Sequence, residues 1–132
     1  MNYKILWIDD EIELLKPQIL FLKNKNIDVI TANNGNDGID IFKDATGIDL
    51  VILDENMPGL SGLETLVELK KINSTVPAFM LTKSEEERIM EEAIGSQIAR
   101  YLIKPTSSAN IYAAIIQQLN GKSIISESIK NE

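Results

Sequence analysis

The chain has 132 residues, 44% of them hydrophobic and 25% charged, which is enough for one domain with a buried core. It lacks cysteine and histidine, which excludes disulfides, thiolate or imidazole metal sites and histidine acid–base catalysis; any metal must be held by oxygen, as magnesium, manganese or calcium is. A net charge of -7 argues against direct nucleic-acid binding, which needs clustered Lys and Arg.

From the N-terminus, Met1-Asn2-Tyr3-Lys4 runs straight into a strand-like segment at about 3–8 with no signal-peptide pattern. No apolar run approaches the roughly 20 residues of a membrane span, so the reading is a cytoplasmic chain without membrane contact. The run Ile5-Leu6-Trp7-Ile8 stops at Asp9-Asp10-Glu11. Asp10 is placed to cap a helix whose apolar stripe is Ile12, Leu15, Ile19 and Leu22. Pro17 lies beyond the first turn of that helix and predicts a kink or an irregular turn.

The second strand, about 27–31, is more mixed in polarity and fits a sheet edge; the helix after it, about 35–44, is weakened by Gly35 and Gly38. A third strand at about 49–53 stops at Asp54-Glu55-Asn56-Met57-Pro58-Gly59, and Ser61-Gly62-Leu63-Glu64 then has capping-box spacing. A fourth, about 77–81, stops at Thr82, and Ser84-Glu85-Glu86-Glu87 repeats that spacing with acids in a positive first turn. The fifth, about 99–103, stops at Lys104-Pro105; Ser107 or Ser108 can cap a last helix that buries Ile111, Ile115 and Leu119. Beyond Asn120-Gly121 the chain turns polar, so the predicted organisation is one domain at 1–120 and a polar tail or start of a linker at 121–132.

Short apolar runs alternating with helical segments imply βαβ units and a parallel sheet covered on both faces. With right-handed crossovers, five strands and five helices fit an α/β, flavodoxin-like doubly wound sheet in the order 2-1-3-4-5. Ligands of such sheets bind at the carboxyl edge, where Asp9, Asp10, Asp54, Thr82 and Lys104 all fall. Crowded carboxylates repel unless a cation joins them, and magnesium accepts a few carboxylates while keeping several waters. Taken alone, Asp9-Asp10 fits a helix cap equally well, Lys104 a loop and Thr82 a helix start. Together they match a different chemistry. An aspartate can accept a phosphoryl group if charge on the equatorial oxygens is neutralised, with Asp54 as acceptor and Lys104 and Thr82 as cation and hydroxyl donor.

Over about residues 3–119 the chain resembles the receiver domain of two-component response regulators. The residues that carry the resemblance are Asp9-Asp10, Asp54 with Met57-Pro58-Gly59 and Gly62, Thr82, and Lys104-Pro105 with Tyr101 three positions earlier. The resemblance implies that Asp54 is phosphorylated by a sensor histidine kinase or phosphotransfer protein. It implies magnesium on Asp10, Asp54 and the backbone carbonyl of Asn56, with Asp9 acting through water. Lys104 would pair with the phosphoryl group, and its bond to Pro105 is often cis in the family. Thr82 would move toward the phosphoryl oxygens and Tyr101 would rotate inward. That reshapes the face of the fourth helix, fifth strand and fifth helix for an output domain, a partner protein or a homodimer. On that face lie Glu85, Glu86, Arg88, Glu91, Glu92 and Arg100. Such a protein assists its own phosphorylation and dephosphorylation and is not a turnover enzyme.

Three departures stand out. Glu55 replaces a usual apolar residue and adds charge near the metal; Lys83 replaces a small one; Asn56 and Ser84 flank the path of the attacking water. A narrower resemblance, in Asp54–Gly62 and Thr82–Glu87, is to receivers joined to an alkaline-phosphatase-like (PglZ) effector and associated with type IX secretion. Two alternatives are a phosphorylation-independent interaction module and a magnesium-dependent phosphohydrolase of the haloacid-dehalogenase kind, which would need an acid where Asn56 stands. A flavin site would need a Ser/Thr-rich phosphate loop after the first strand.

Overall fold

Five parallel strands form one sheet in the order β2-β1-β3-β4-β5: β1 Tyr3–Ile8, β2 Ile27–Ala32, β3 Leu50–Asp54, β4 Ala78–Thr82 and β5 Arg100–Ile103. The computed structural model describes residues 2–93 and 97–131, apart from the side chains of 91–93 and 121–131. The helices are α1 Lys16–Asn24, α2 Gly35–Asp44, α3 Gly62–Ile72, α4 Glu85–Ala93 and α5 Ser108–Asn131. This is the predicted doubly wound order, with β2 at an edge as its mixed polarity required. β3 and β4 run one residue further than predicted, so Asp54 and Thr82 close their strands.

Strand parity divides the core. Ile5, Trp7, Leu50, Ile52, Phe79 and Leu81 pack with Ile19 and Leu22 of α1 and Ile111 and Ile115 of α5. Leu6, Ile8, Val51, Leu53 and Met80 pack with Phe42 of α2 and Leu66 and Leu69 of α3. Ile8 pairs with Leu53 and Leu53 with Met80, so Asp9 and Asp54 stand level, one residue beyond paired positions on adjacent strands.

The first helix begins differently from its prediction. Asp10 caps nothing: residues Ile12–Leu15 form a 3-10 turn, and neither that turn nor α1 has a side-chain cap. Instead Asp9 Oδ1 accepts a hydrogen bond from the Glu11 backbone N–H at 2.8 Å. Because α1 starts only at Lys16, Pro17 sits in its first turn, where the missing N–H costs nothing; the irregular turn precedes the proline.

Gly35 and Gly38, read as a weakness of α2, are points of close approach. A Cβ at Gly35 would lie 2.2 Å from Thr65 Oγ1, and one at Gly38 2.2 Å from Ile8 Cδ1. The helix is also capped, with the Asn34 side chain accepting from Asp37 N–H at 2.8 Å. The Ser61–Glu64 capping box forms in both directions, and Ser107 caps α5 by accepting from Asn110 N–H at 3.1 Å. The segment read as a polar tail continues as helix to Asn131, and Glu132 lies outside the described residues. Among the described residues no helix is long and apolar enough to cross a membrane.

Candidate functional site

The two core strands β1 and β3 deliver Asp9 and Asp54 to one point, and burial follows: Asp9 is 0% and Asp54 3% exposed. Asp10, the next residue, is exposed at the rim. One carboxylate oxygen from each of the three lies within 4.8 Å of the others. Lys104, at the end of β5, reaches in with Nζ 2.9 Å from Asp54 Oδ1 and 3.5 Å from Asp9 Oδ2. Its backbone N–H is anchored to the Thr82 carbonyl at 2.8 Å, and its bond to Pro105 is cis.

Three carboxylates against one ammonium leave an excess of negative charge in a largely buried place. Burial pushes the Asp54 carboxyl up to about 6; the hydrogen bond from Lys104 opposes this and the Asp9 charge adds to it. Burial would lower the Lys104 ammonium, but the Asp54 hydrogen bond and the charges of Asp9 and Asp54 outweigh it and raise it. Asp9 Oδ2 is buried without a hydrogen-bond partner. An all-oxygen donor set whose buried Asp9 Oδ2 has only the 3.5 Å ion pair with Lys104 fits a hard divalent cation such as magnesium.

Gly62 brings the start of α3 against this point. A Cβ there would lie 2.7 Å from the Asp54 carbonyl oxygen and 2.6 Å from Met80 Sδ, so the approach of helix to strand needs glycine.

Thr82 and Tyr101 lie on the opposite face of the sheet by parity. Thr82 is fully buried, and its hydroxyl donates a long 3.4 Å bond to the Ser84 carbonyl at the entrance to α4. Tyr101, half-buried, packs on the cluster that contains Met80. The structure therefore brings together Asp9, Asp10, Asp54 and Lys104, while the Thr82 hydroxyl is bonded to the Ser84 carbonyl and Tyr101 packs with the Met80 cluster.

Glu55 is engaged by the start of α3. Its Oε2 accepts from the Leu63 N–H of α3 at 3.2 Å, and its backbone carbonyl accepts from Gly62 N–H at 3.1 Å. Burial pushes this carboxyl up to about 7 against the Leu63 bond, helped by the charges of Glu87, Asp54 and Glu64. Lys83 is exposed and lines, with Trp7, Glu11 and Lys104, a cavity of about 400 Å³ between α1 and α5. On the far face Glu85 pairs with Arg88 at 2.6 Å and Arg100 donates to Gln117 at 2.8 Å; the side chains of Glu91 and Glu92 lie outside the described residues.

Sequence reasoning missed one participant. Asn56 Nδ2 donates to Glu87 Oε1 at 3.0 Å, joining the loop after β3 to the first turn of α4. Glu87 was legible as the acid of a capping-box pattern, but nothing in the pattern pointed to a partner 31 residues away.

The model of the response regulator receiver domain family matches residues 5–116. The transcriptional regulatory protein CpxR homolog of Haemophilus influenzae is 35% identical over 130 residues, which cover 97% of this chain and 55% of that protein. Transcriptional regulatory protein CpxR of Escherichia coli K12 is 35% identical over 114 residues, 85% of this chain and 47% of that protein. The chain thus spans about half the length of these curated relatives. A response regulator receiver domain protein from Clostridium thermocellum superposes with a TM-score of 0.81 at 33% identity, over 93% of this chain and 98% of that one.

Proposed function

The chain belongs to the response regulator receiver domain family of two-component signalling, and we propose that it is a phosphorylation-dependent switch with Asp54 as phosphoryl acceptor. The observation that carries this reading is Lys104 Nζ, 2.9 Å from Asp54 Oδ1 beside two further carboxylates.

A carboxyl pushed up to about 6 is still largely ionised at pH 7, so Asp54 offers an anionic oxygen as nucleophile. In transfer from a kinase phosphohistidine, an Asp54 oxygen bonds to phosphorus while the phosphorus–nitrogen bond breaks, and the imidazole leaves with the electron pair. The Lys104 ammonium, now shared with the carboxylates, turns to the added dianion. Asp9, Asp10, Asp54 and the Asn56 backbone carbonyl would hold a magnesium ion, which when bound neutralises charge on the transferring group.

Phosphorylation gives the Thr82 hydroxyl a better acceptor than its 3.4 Å bond to the Ser84 carbonyl. Thr82 then turns toward Asp54, vacating space next to Tyr101, which moves inward. The face of α4, β5 and α5 changes, and with it affinity for an output domain, partner protein or second copy. We place this switch in the cytoplasm, with residues 1–120 as the receiver and 121–132 as a polar tail or the start of a linker. Relatives named as transcriptional regulators favour a transcriptional output. The resemblance at Asp54–Gly62 and Thr82–Glu87 favours a PglZ-type effector; the receiver chemistry is common to both.

The test is phosphotransfer from a radiolabelled, autophosphorylated sensor kinase. Label should appear on wild type and not on Asp54→Asn; label retained on Asp54→Asn would refute Asp54 as acceptor.

A further inference from the structure

Asn56 follows the acceptor by two residues and is exposed, so an unrestrained side chain there could swing out into solvent. It is held instead: Nδ2 donates to the Glu87 carboxylate at 3.0 Å. Glu87 is itself fixed, since its backbone N–H donates to Ser84 Oγ at 3.2 Å. Ser84 in turn receives the Thr82 hydroxyl on its carbonyl. The loop after β3 and the loop after β4, which border the acceptor on two sides, are thus closed on each other through one side-chain bond. Its acceptor is a carboxylate oxygen.

We propose that Glu87 is a positioning residue for the phosphoryl chemistry: it fixes the Asn56 amide beside Asp54 and so lengthens the life of the aspartyl phosphate. The inference rests on Asp54 being the acceptor. Hydrolysis forms a bond from a water oxygen to phosphorus, breaks the bond from phosphorus to the Asp54 oxygen, and releases inorganic phosphate and a proton. That water must approach in line, opposite Asp54. A tethered amide narrows this approach. Untethered, Asn56 swings clear and water enters.

The test compares phosphoryl half-lives for wild type, Glu87→Ala, Glu87→Gln, Asn56→Ala and the Asn56→Ala/Glu87→Ala double variant, after loading with acetyl phosphate and removal of donor. Glu86→Ala, which removes an acid from the same helical turn, controls for the helix dipole. Glu87→Ala should shorten the half-life about three- to tenfold, the size expected for one solvent-exposed hydrogen bond. Glu87→Gln keeps an acceptor oxygen and should recover most of the loss, while Glu86→Ala stays at the wild-type value. The double variant should be no faster than Asn56→Ala alone. In metal-free protein, the Asn56 side-chain amide resonance should shift in Glu87→Ala and hold in Glu87→Gln. Additive effects of the two alanine variants, or an Asn56 amide resonance indifferent to Glu87→Ala, would overturn the proposal. If wild type takes up no phosphoryl group from any donor, the acceptor assignment fails first, and the amide resonance still decides whether the tether exists.

Discussion

The Lys104 ammonium contacts Asp54 at 2.9 Å and in doing so compensates a carboxylate that is 3% exposed. Removing a partner from a buried pair costs more than the pair contributes, because the remaining charge stays buried. Lys104→Ala in metal-free protein should therefore lose about 2 kcal/mol at pH 7 by urea denaturation, less than a fully enclosed pair because Lys104 is partly exposed. It should also abolish phosphoryl acceptance. Unchanged stability would show that the contact is not maintained in solution.

The same burial sets a pH dependence. Asp54 rises from its ordinary 3.8 to about 6, and Glu55 from 4.5 to about 7. The folded state then holds protons that the unfolded chain has released, so metal-free stability falls as pH rises from about 4 to 7. In Asp54→Asn that fall should be shallower, and at pH 7 the variant should exceed wild type by on the order of 2 kcal/mol. Denaturation with EDTA at pH 5 and pH 7.5 measures both. Magnesium at pH 7.5 should raise the stability of wild type and leave Asp54→Asn nearly unmoved.

Gly62 admits α3 to the back of the acceptor. In Gly62→Ala the new methyl meets the Asp54 carbonyl at 2.7 Å, a backbone atom that cannot swing aside. The expected cost is about 2 kcal/mol from overpacking, despite the better helix propensity of alanine. Phosphoryl uptake should slow even where the variant is folded, as seen by circular dichroism. A stabilised Gly62→Ala would contradict the packing.

Trp7 is the single tryptophan, fully buried and two residues before Asp9 on the same face of β1. Its emission should change saturably as magnesium is titrated, and the change should be absent in Asp9→Asn/Asp54→Asn. Identical titrations for the two proteins would place magnesium elsewhere.

Much of this was legible in the sequence because buried parallel strands read as apolar runs, and each run ended on the residue that matters: Asp9, Asp54, Thr82 and Lys104. Ser61 and Ser107 were legible as caps because capping is a short-range pattern. Asp10 was misread because the cap rule does not register that Asp9 turns inward and takes the Glu11 N–H for itself. The Glu55 contact was not legible, because it depends on how the start of α3 presents the Leu63 N–H, eight residues on, which backbone geometry decides. The opposite side-chain parity of Asp54 and Thr82 needed the register, and the Asn56–Glu87 tether needed the tertiary fold.

The central claim is phosphoryl acceptance at Asp54 with a divalent cation, and its most direct measurement is intact mass after incubation with acetyl phosphate. Wild type should gain one phosphoryl group with magnesium and none with EDTA, and Asp54→Asn should gain none under either condition. Equal gain with and without magnesium, or gain in Asp54→Asn, would contradict the account.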